Sequence, residues 1–259
     1  MELETVTIAL AALLASGLTL FSGFGLGTLL LPVVAIFFPV EVAVGITAMV
    51  HLANNIFKLG LLGLHADRKI VLAFGLPAVL AAFVGASLLG WLSSLAPVAD
   101  YSVLGKVFTV TPVKLIIGLV ILVFVTLELL PAFSAITIDR KYLPLGGGIS
   151  GFFGGLSGHQ GAFRSMFLIK AGLRKEQYIA TGVVLAVLVD LSRLLVYGWG
   201  AAASHTNVDW SLVAVAALSA FAGAFIGARL IRKLTIRSIQ IMVSGLLALV
   251  ALGLIAGVV

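Results

Sequence analysis

Residues 157–165 read SGHQGAFRS, and they place His159, Gln160, Arg164 and Ser165 beside Gly158 and Gly161. An imidazole titrates near physiological pH, and a guanidinium presents a planar fork suited to oxyanions. Glycines permit sharp turns and close backbone approach. Such a set could hold an anion and pass a proton. Two further groups share its chemistry. His51, Asn54, Asn55 and Lys58 fall at i, i+3, i+4 and i+7, one face of a helix. Asp190, Arg193 and Tyr197 fall at i, i+3 and i+7, where the first two can neutralise each other as a local ion pair. No carboxylate pair, zinc-like histidine cluster, Walker glycine-lysine motif or nucleophile elbow is present. The expectation is therefore no catalytic residue, no metal and no cofactor.

The elements that must carry these residues are apolar. The chain has 259 residues, 61% hydrophobic and only 10% charged, against about a quarter charged in an ordinary soluble domain. Bilayer-length runs recur throughout, for example 42–64 and 211–230. They are apolar on all sides, whereas strands of a transmembrane barrel would alternate. The N-terminal MELETVTIAL carries Glu2 and Glu4 where a signal peptide would be basic, so a first membrane helix is predicted there. With no cysteine, disulfides and thiolate sites are excluded. A net charge of +6 in such a chain belongs to loops flanking the membrane and gives no reason to expect nucleic acid. Its expected partner is the lipid bilayer.

Turn signals and charges divide the chain into hydrophobic elements near 5–21, 25–38, 42–64, 70–93 and 112–131, then 143–156, 161–172, 177–200, 210–230 and 236–258. Residues 1–131 and 143–259 form two transmembrane repeats joined by a cytoplasmic linker at 132–142. The basic positions Arg68/Lys69, Arg140/Lys141, Arg174/Lys175 and Arg229, Arg232, Lys233, Arg237 are assigned to the cytoplasm, which puts both termini outside. Lys106, in the 94–112 connection, blurs that pattern. Segments 16–32 and 150–166 align, as do AVGITAMV (43–50) with ATGVVLAV (180–187) and GASLLG (85–90) with GAFIGA (223–228). The fold expected is an all-α polytopic membrane protein of two inverted-topology repeats. Each has about five hydrophobic elements, including short glycine-broken half-helices that cross or re-enter. Secondary transporters built this way bind substrate at the repeat interface.

An ionisable side chain in hydrocarbon costs at least about 2.5–3.5 kcal/mol on insertion scales, so each one needs a reason. A helix starting near Gly161 would aim free N–H groups and its positive dipole end at an anion. The first-half counterpart SGFGLGT (22–28) offers a second start with Ser22 and Thr28 and no charge. Arg164 is the expected fixed anion ligand. Backbone groups around Gly23, Gly25, Gly27, Gly158 and Gly161 are expected to donate directly, with Thr28, Gln160, Ser165 and Asn54 or Asn55 completing a polar shell. His159 or His51 is the expected proton-linked group. Lys58, Asp190, Arg193 and Tyr197 support it, the Asp190–Arg193 pair as a brace.

In SGFGLGTLLLP, AVGIT, HLANNIFK, GGGISGFFGGLSGHQGAFRS, YIATGVV and DLSRLLVY, taken in order over essentially the full chain, the sequence resembles the TauE/SafE family of sulfite and organosulfonate exporters. The resemblance implies a multi-pass carrier of the bacterial plasma (inner) membrane. It implies small sulfur-containing anions such as sulfite or sulfonates as substrate, with coupling to protons. His159 and Arg164 match the family's second-half motif, while GFGLG supplies no charged ligand from the first half. An anion channel with the same positive lining and a membrane-embedded enzyme are the alternatives, and a homodimer remains open.

Overall fold

The computed structural model describes residues 3–22, 25–62, 65–203, 209–230 and 236–258. It is helical apart from one hairpin. The first half holds α1 (Leu3–Ser22), α2 (Leu26–Ala35), α3 (Val40–Leu62), α4 (Arg68–Ser93) and α5 (Pro112–Leu129). A short α6 (Pro131–Ser134) and a 3₁₀ turn (Arg140–Tyr142) lead into the second half. That half holds α7 (Leu143–Ser157), α8 (Gly161–Leu168), α9 (Lys175–Ala203), α10 (Trp210–Leu230) and α11 (Ile236–Ile255). Among the described residues, segments within α3, α4 and α9 are long and apolar enough to cross a membrane.

α2 and α8 have 10 and 8 residues, about 15 and 12 Å at 1.5 Å per residue. Neither can traverse a hydrocarbon core of about 30 Å. Both are half-helices that begin at glycine-rich breaks inside the bundle. α7 stops at Gly158, which takes a left-handed conformation (φ 83°) and returns its N–H to the Gly154 carbonyl. The site suits glycine twice over, since an added Cβ would also lie 3.0 Å from Arg193 Nη1.

The halves interlock. α1 packs on α10, α4 on α7, α3 on α9 and α5 on α11. Exchanging α1–α5 with α7–α11 maps the first pair onto the second and returns the other two to themselves. α4 lies close against α7, where Gly147, Gly151 and Gly155 present no side chain to the carbonyl oxygens of Phe74, Ala78 and Ala82. A Cβ at any of the three would come within 2.1 Å of that oxygen. In a bilayer, where lipid tails are as apolar as leucine, such small-residue seams supply packing that larger side chains would block. Residue numbers rise together along this seam, so α4 and α7 run parallel and their basic starts, Arg68/Lys69 and Arg140/Lys141, share one end of the bundle. Thr181 Oγ1 accepts from the Asp67 N–H at 3.0 Å and so brings the beginning of α9, with Lys175, to the same end.

The 94–112 connection holds the only strands among the described residues. Strands β1 (Ala99–Val103) and β2 (Lys106–Val110) pair antiparallel, with Ala99 opposite Val110. Leu104 and Gly105 both have positive φ, 53° and 77°, as a two-residue hairpin turn requires. The hairpin docks on the chain's far end, where Lys114 Nζ donates to the carbonyls of Thr109 (3.3 Å) and Gly257 (3.5 Å). The alternation DYSV and KVFTV was masked in the sequence by the apolar runs on either side.

Candidate functional site

The polar groups separated in sequence meet at Asp190, which is fully buried on α9. Its Oδ1 accepts from Arg193 Nη2 (2.7 Å), Arg193 Nε (3.1 Å) and Gln160 Nε2 (3.3 Å). Its Oδ2 accepts from His51 Nδ1 (2.6 Å) and Asn55 Nδ2 (3.4 Å), with the Asn55 amide lying against the His51 ring. Arg193 also donates from Nη1 to the Gly154 carbonyl at 3.4 Å, and Tyr197 donates to the Gly155 carbonyl. This centre ties α3 to α9 across 139 residues of sequence and ties both to the end of α7. Every lone pair of a buried carboxylate that is so engaged reduces its desolvation cost. No acceptor capacity is left over for a ligand.

Beside it lies a crevice between the starts of α2 and α8, lined by Gly25, Thr28, Phe124, His159, Gly161 and Ala162. It holds about 190 Å³ of space between atoms, part of it open to the outside, and is too narrow for a water-sized sphere. Gly27 sits next to it, its hypothetical Cβ 3.6 Å from Thr47 Cγ2 and 3.9 Å from the Gly158 carbonyl. The first-turn N–H groups of a helix have no intrahelical acceptor, so both half-helices bring donors and positive dipole ends to this spot.

His159 is 4% exposed. Ser157 Oγ donates to the Phe153 carbonyl at 3.1 Å and so has spent its one proton; it accepts from His159 Nδ1–H, also at 3.1 Å. The neutral ring therefore carries a bare lone pair on Nε2, and this buried atom has no partner among the described residues. An unpaired buried polar atom costs about 1–3 kcal/mol. Phe124 stacks on the ring at 5.3 Å and 21°. Phe124, Phe153 and Phe163 pack edge-on or stacked on one another around it.

Other expected ligands are arranged differently. Arg164 is not among the residues lining the crevice; its Nη1 donates to Gln160 Oε1 at 3.2 Å, and its Nε lies beside Gly182 of α9. Gln160 is used at both ends, by Asp190 and Arg164. Ser165 Oγ bonds back to the Gly161 carbonyl at 3.0 Å. Asn54 accepts from Ser16 at 3.4 Å, and its Nδ2 is buried without a partner. Gly23 and the side chain of Ser22 lie outside the described residues, as do the side chains of Arg229, Arg232, Lys233 and Arg237. Phe124 and Thr47 were not anticipated. Thr47 extends the His51 stripe by one turn toward the N-terminus of α3, a spacing that could have revealed it, and its Oγ1 is a further buried atom without a partner. Phe124 looks like any lipid-facing aromatic in sequence. Among the described residues no cluster of three or more His, Asp or Glu could hold a metal.

Long apolar helices interrupted by two half-helices, with polar groups buried at the breaks, define a polytopic all-α membrane transporter. The family model for the sulfite exporter TauE/SafE matches residues 8–254. The chain thus belongs to the TauE/SafE family, a family of transporters and not of enzymes. No curated protein and no solved structure matches it significantly.

Proposed function

We propose that the chain is a secondary carrier that exports small sulfur-containing anions, sulfite or organosulfonates, by alternating access and in step with protons. The observation that carries this reading is His159 Nε2, buried without a partner in a crevice faced by two helix starts. The backbone donors of α2 and α8, with Thr28, take the anion's oxygens. His159 offers a lone pair to an anion that arrives protonated, or becomes an imidazolium that donates to one that arrives bare. In either case one proton accompanies the anion. His51, bonded to Asp190, and Arg193 brace the site and leave this exchange to His159.

The crevice is too narrow for a water molecule, which suits a carrier better than a continuous pore. Alternating access then requires α2 or α8 to move relative to the longer helices. The symmetric pairing of α1–α5 with α7–α11 supports an inverted repeat. The shared basic end of α4, α7 and α9 supports an orientation with that end in the cytoplasm of a bacterial inner membrane and the termini outside.

Counterflow of labelled sulfite into proteoliposomes tests this reading. The native protein should exchange sulfite saturably, and His159→Ala should lose at least about tenfold in rate while remaining folded. Current without counterflow would identify a channel, and full exchange in His159→Ala would remove the histidine from the mechanism.

A further inference from the structure

Two cations remain outside the braced centre. Arg164 on α8 makes a single hydrogen bond, to the neutral Gln160 amide oxygen. Lys58, on the same α3 face as His51 and Asn55, has no hydrogen-bond or ion-pair partner among the described residues. The contacts of His51 with Asp190 and of Asp67 with Thr181 make α3 and α9 antiparallel, which brings Lys58 to the level of Gly182 and hence of Arg164. Both are half-buried. No described carboxylate pairs with either, and Asp190 already accepts from His51, Asn55, Gln160 and Arg193.

Their position follows from the helices. Lys58 is seven residues beyond His51, about 10 Å along α3 toward Arg68. Arg164 lies past the crevice on α8, which leads to Arg174 and Lys175. Gly182, whose hypothetical Cβ is 3.7 Å from Arg164 Nε, leaves space on α9 beside the guanidinium. Most guanidinium donors and all ammonium donors are unspent. Two like charges in a low-dielectric setting repel unless something negative lies between them.

We infer that Arg164 and Lys58 form a second station for a small oxyanion, separate from the crevice and on its basic-loop side, where the anion waits before it reaches His159. The station rests on the carrier reading for its role in transport, but its anion binding can be tested alone. Gln160 joins the two places: its Oε1 holds Arg164 while its Nε2 holds Asp190. An anion taking over the guanidinium would release Oε1 and leave the braced centre intact.

Because the chain has no cysteine, Gly182→Cys creates a single thiol beside Arg164. In purified protein, this thiol should react about tenfold faster with an anionic methanethiosulfonate than with a cationic one of similar size, and sulfite should slow the reaction. Both effects should vanish when Arg164→Gln and Lys58→Gln are added, and both should persist with His159→Ala. Equal rates with the two reagents, or no reaction at all, would overturn the station. So would anionic preference without protection by sulfite. Protection lost in His159→Ala would mean one site, not two, and protection by phosphatidylglycerol but not sulfite would give the cations to a lipid headgroup. Failure of sulfite counterflow with these effects intact would count against the carrier reading alone.

Discussion

Asp190 and His159 are both buried, both polar and close together, yet their surroundings are opposite. Asp190 is engaged by donors from α3, α8 and α9, whereas the crevice-facing nitrogen of His159 has none. A saturated group in a low-dielectric interior resists any change of partner, because each exchange would strand a charge. An unsaturated one is strained until something arrives. The first arrangement holds a structure and the second waits for a ligand. Burial and polarity alone would have ranked the two equally.

The largest effect on stability should come from breaking the saturated side. Asp190→Ala leaves the Arg193 guanidinium buried and unpaired, a loss of about 3–5 kcal/mol, read as failure to purify a monodisperse protein or a steep fall in Tm. The double replacement Asp190→Leu with Arg193→Met should recover much of that loss. If the single variant is as stable as the native protein, the centre is not the brace described here.

Gly151→Ala comes next. Its methyl would meet the Ala78 carbonyl at 2.1 Å, and separating α4 from α7 should cost about 1–3 kcal/mol. Gly182→Ala, with 3.7 Å to its neighbour, should be nearly silent in the same thermal melt. Equal behaviour of the two would show that the α4–α7 seam yields.

On the unsaturated side, His159→Leu should leave stability within about 1 kcal/mol of native, since the orphaned nitrogen goes with the ring, read as a small change in Tm, while sulfite counterflow is lost. A collapse in Tm would make His159 a packing residue and erase the contrast with Asp190. The smallest effect belongs to neither region. Asp209 caps α10 by accepting from the Ser211 hydroxyl and from the N–H of Leu212 and Ser211, and these bonds, the hydroxyl's first, hold its carboxyl below the ordinary carboxylate range. Its contribution is therefore present above that range and lost as pH falls through the depressed value. Asp209→Ala should lower Tm slightly at neutral pH and not at strongly acidic pH.

Much of this was legible in the sequence. Bilayer-length apolar runs, the break at Gly158, the period of His51, Asn54, Asn55 and Lys58, and the Asp190–Arg193 spacing are consequences of helix geometry and of the cost of polar groups in hydrocarbon. Those act locally, so a one-dimensional reading captures them. The hairpin at 99–110 escaped because its alternation is short, and the glycines of α7 read as helix breaks although Gly147, Gly151 and Gly155 serve the seam with α4.

What the tertiary structure alone decided is who pairs with whom. Asp190 takes His51 from the other half of the chain, Gln160 is consumed at both ends, Arg164 turns from the crevice toward Gln160 and Gly182, and Phe124 closes over His159. Hydrogen-bond saturation depends on neighbours brought together by packing, and no spacing rule counts donors against acceptors across more than a hundred residues. The sequence determined which residues had to be polar within the membrane; only the fold decided which of them were left with something still to bind.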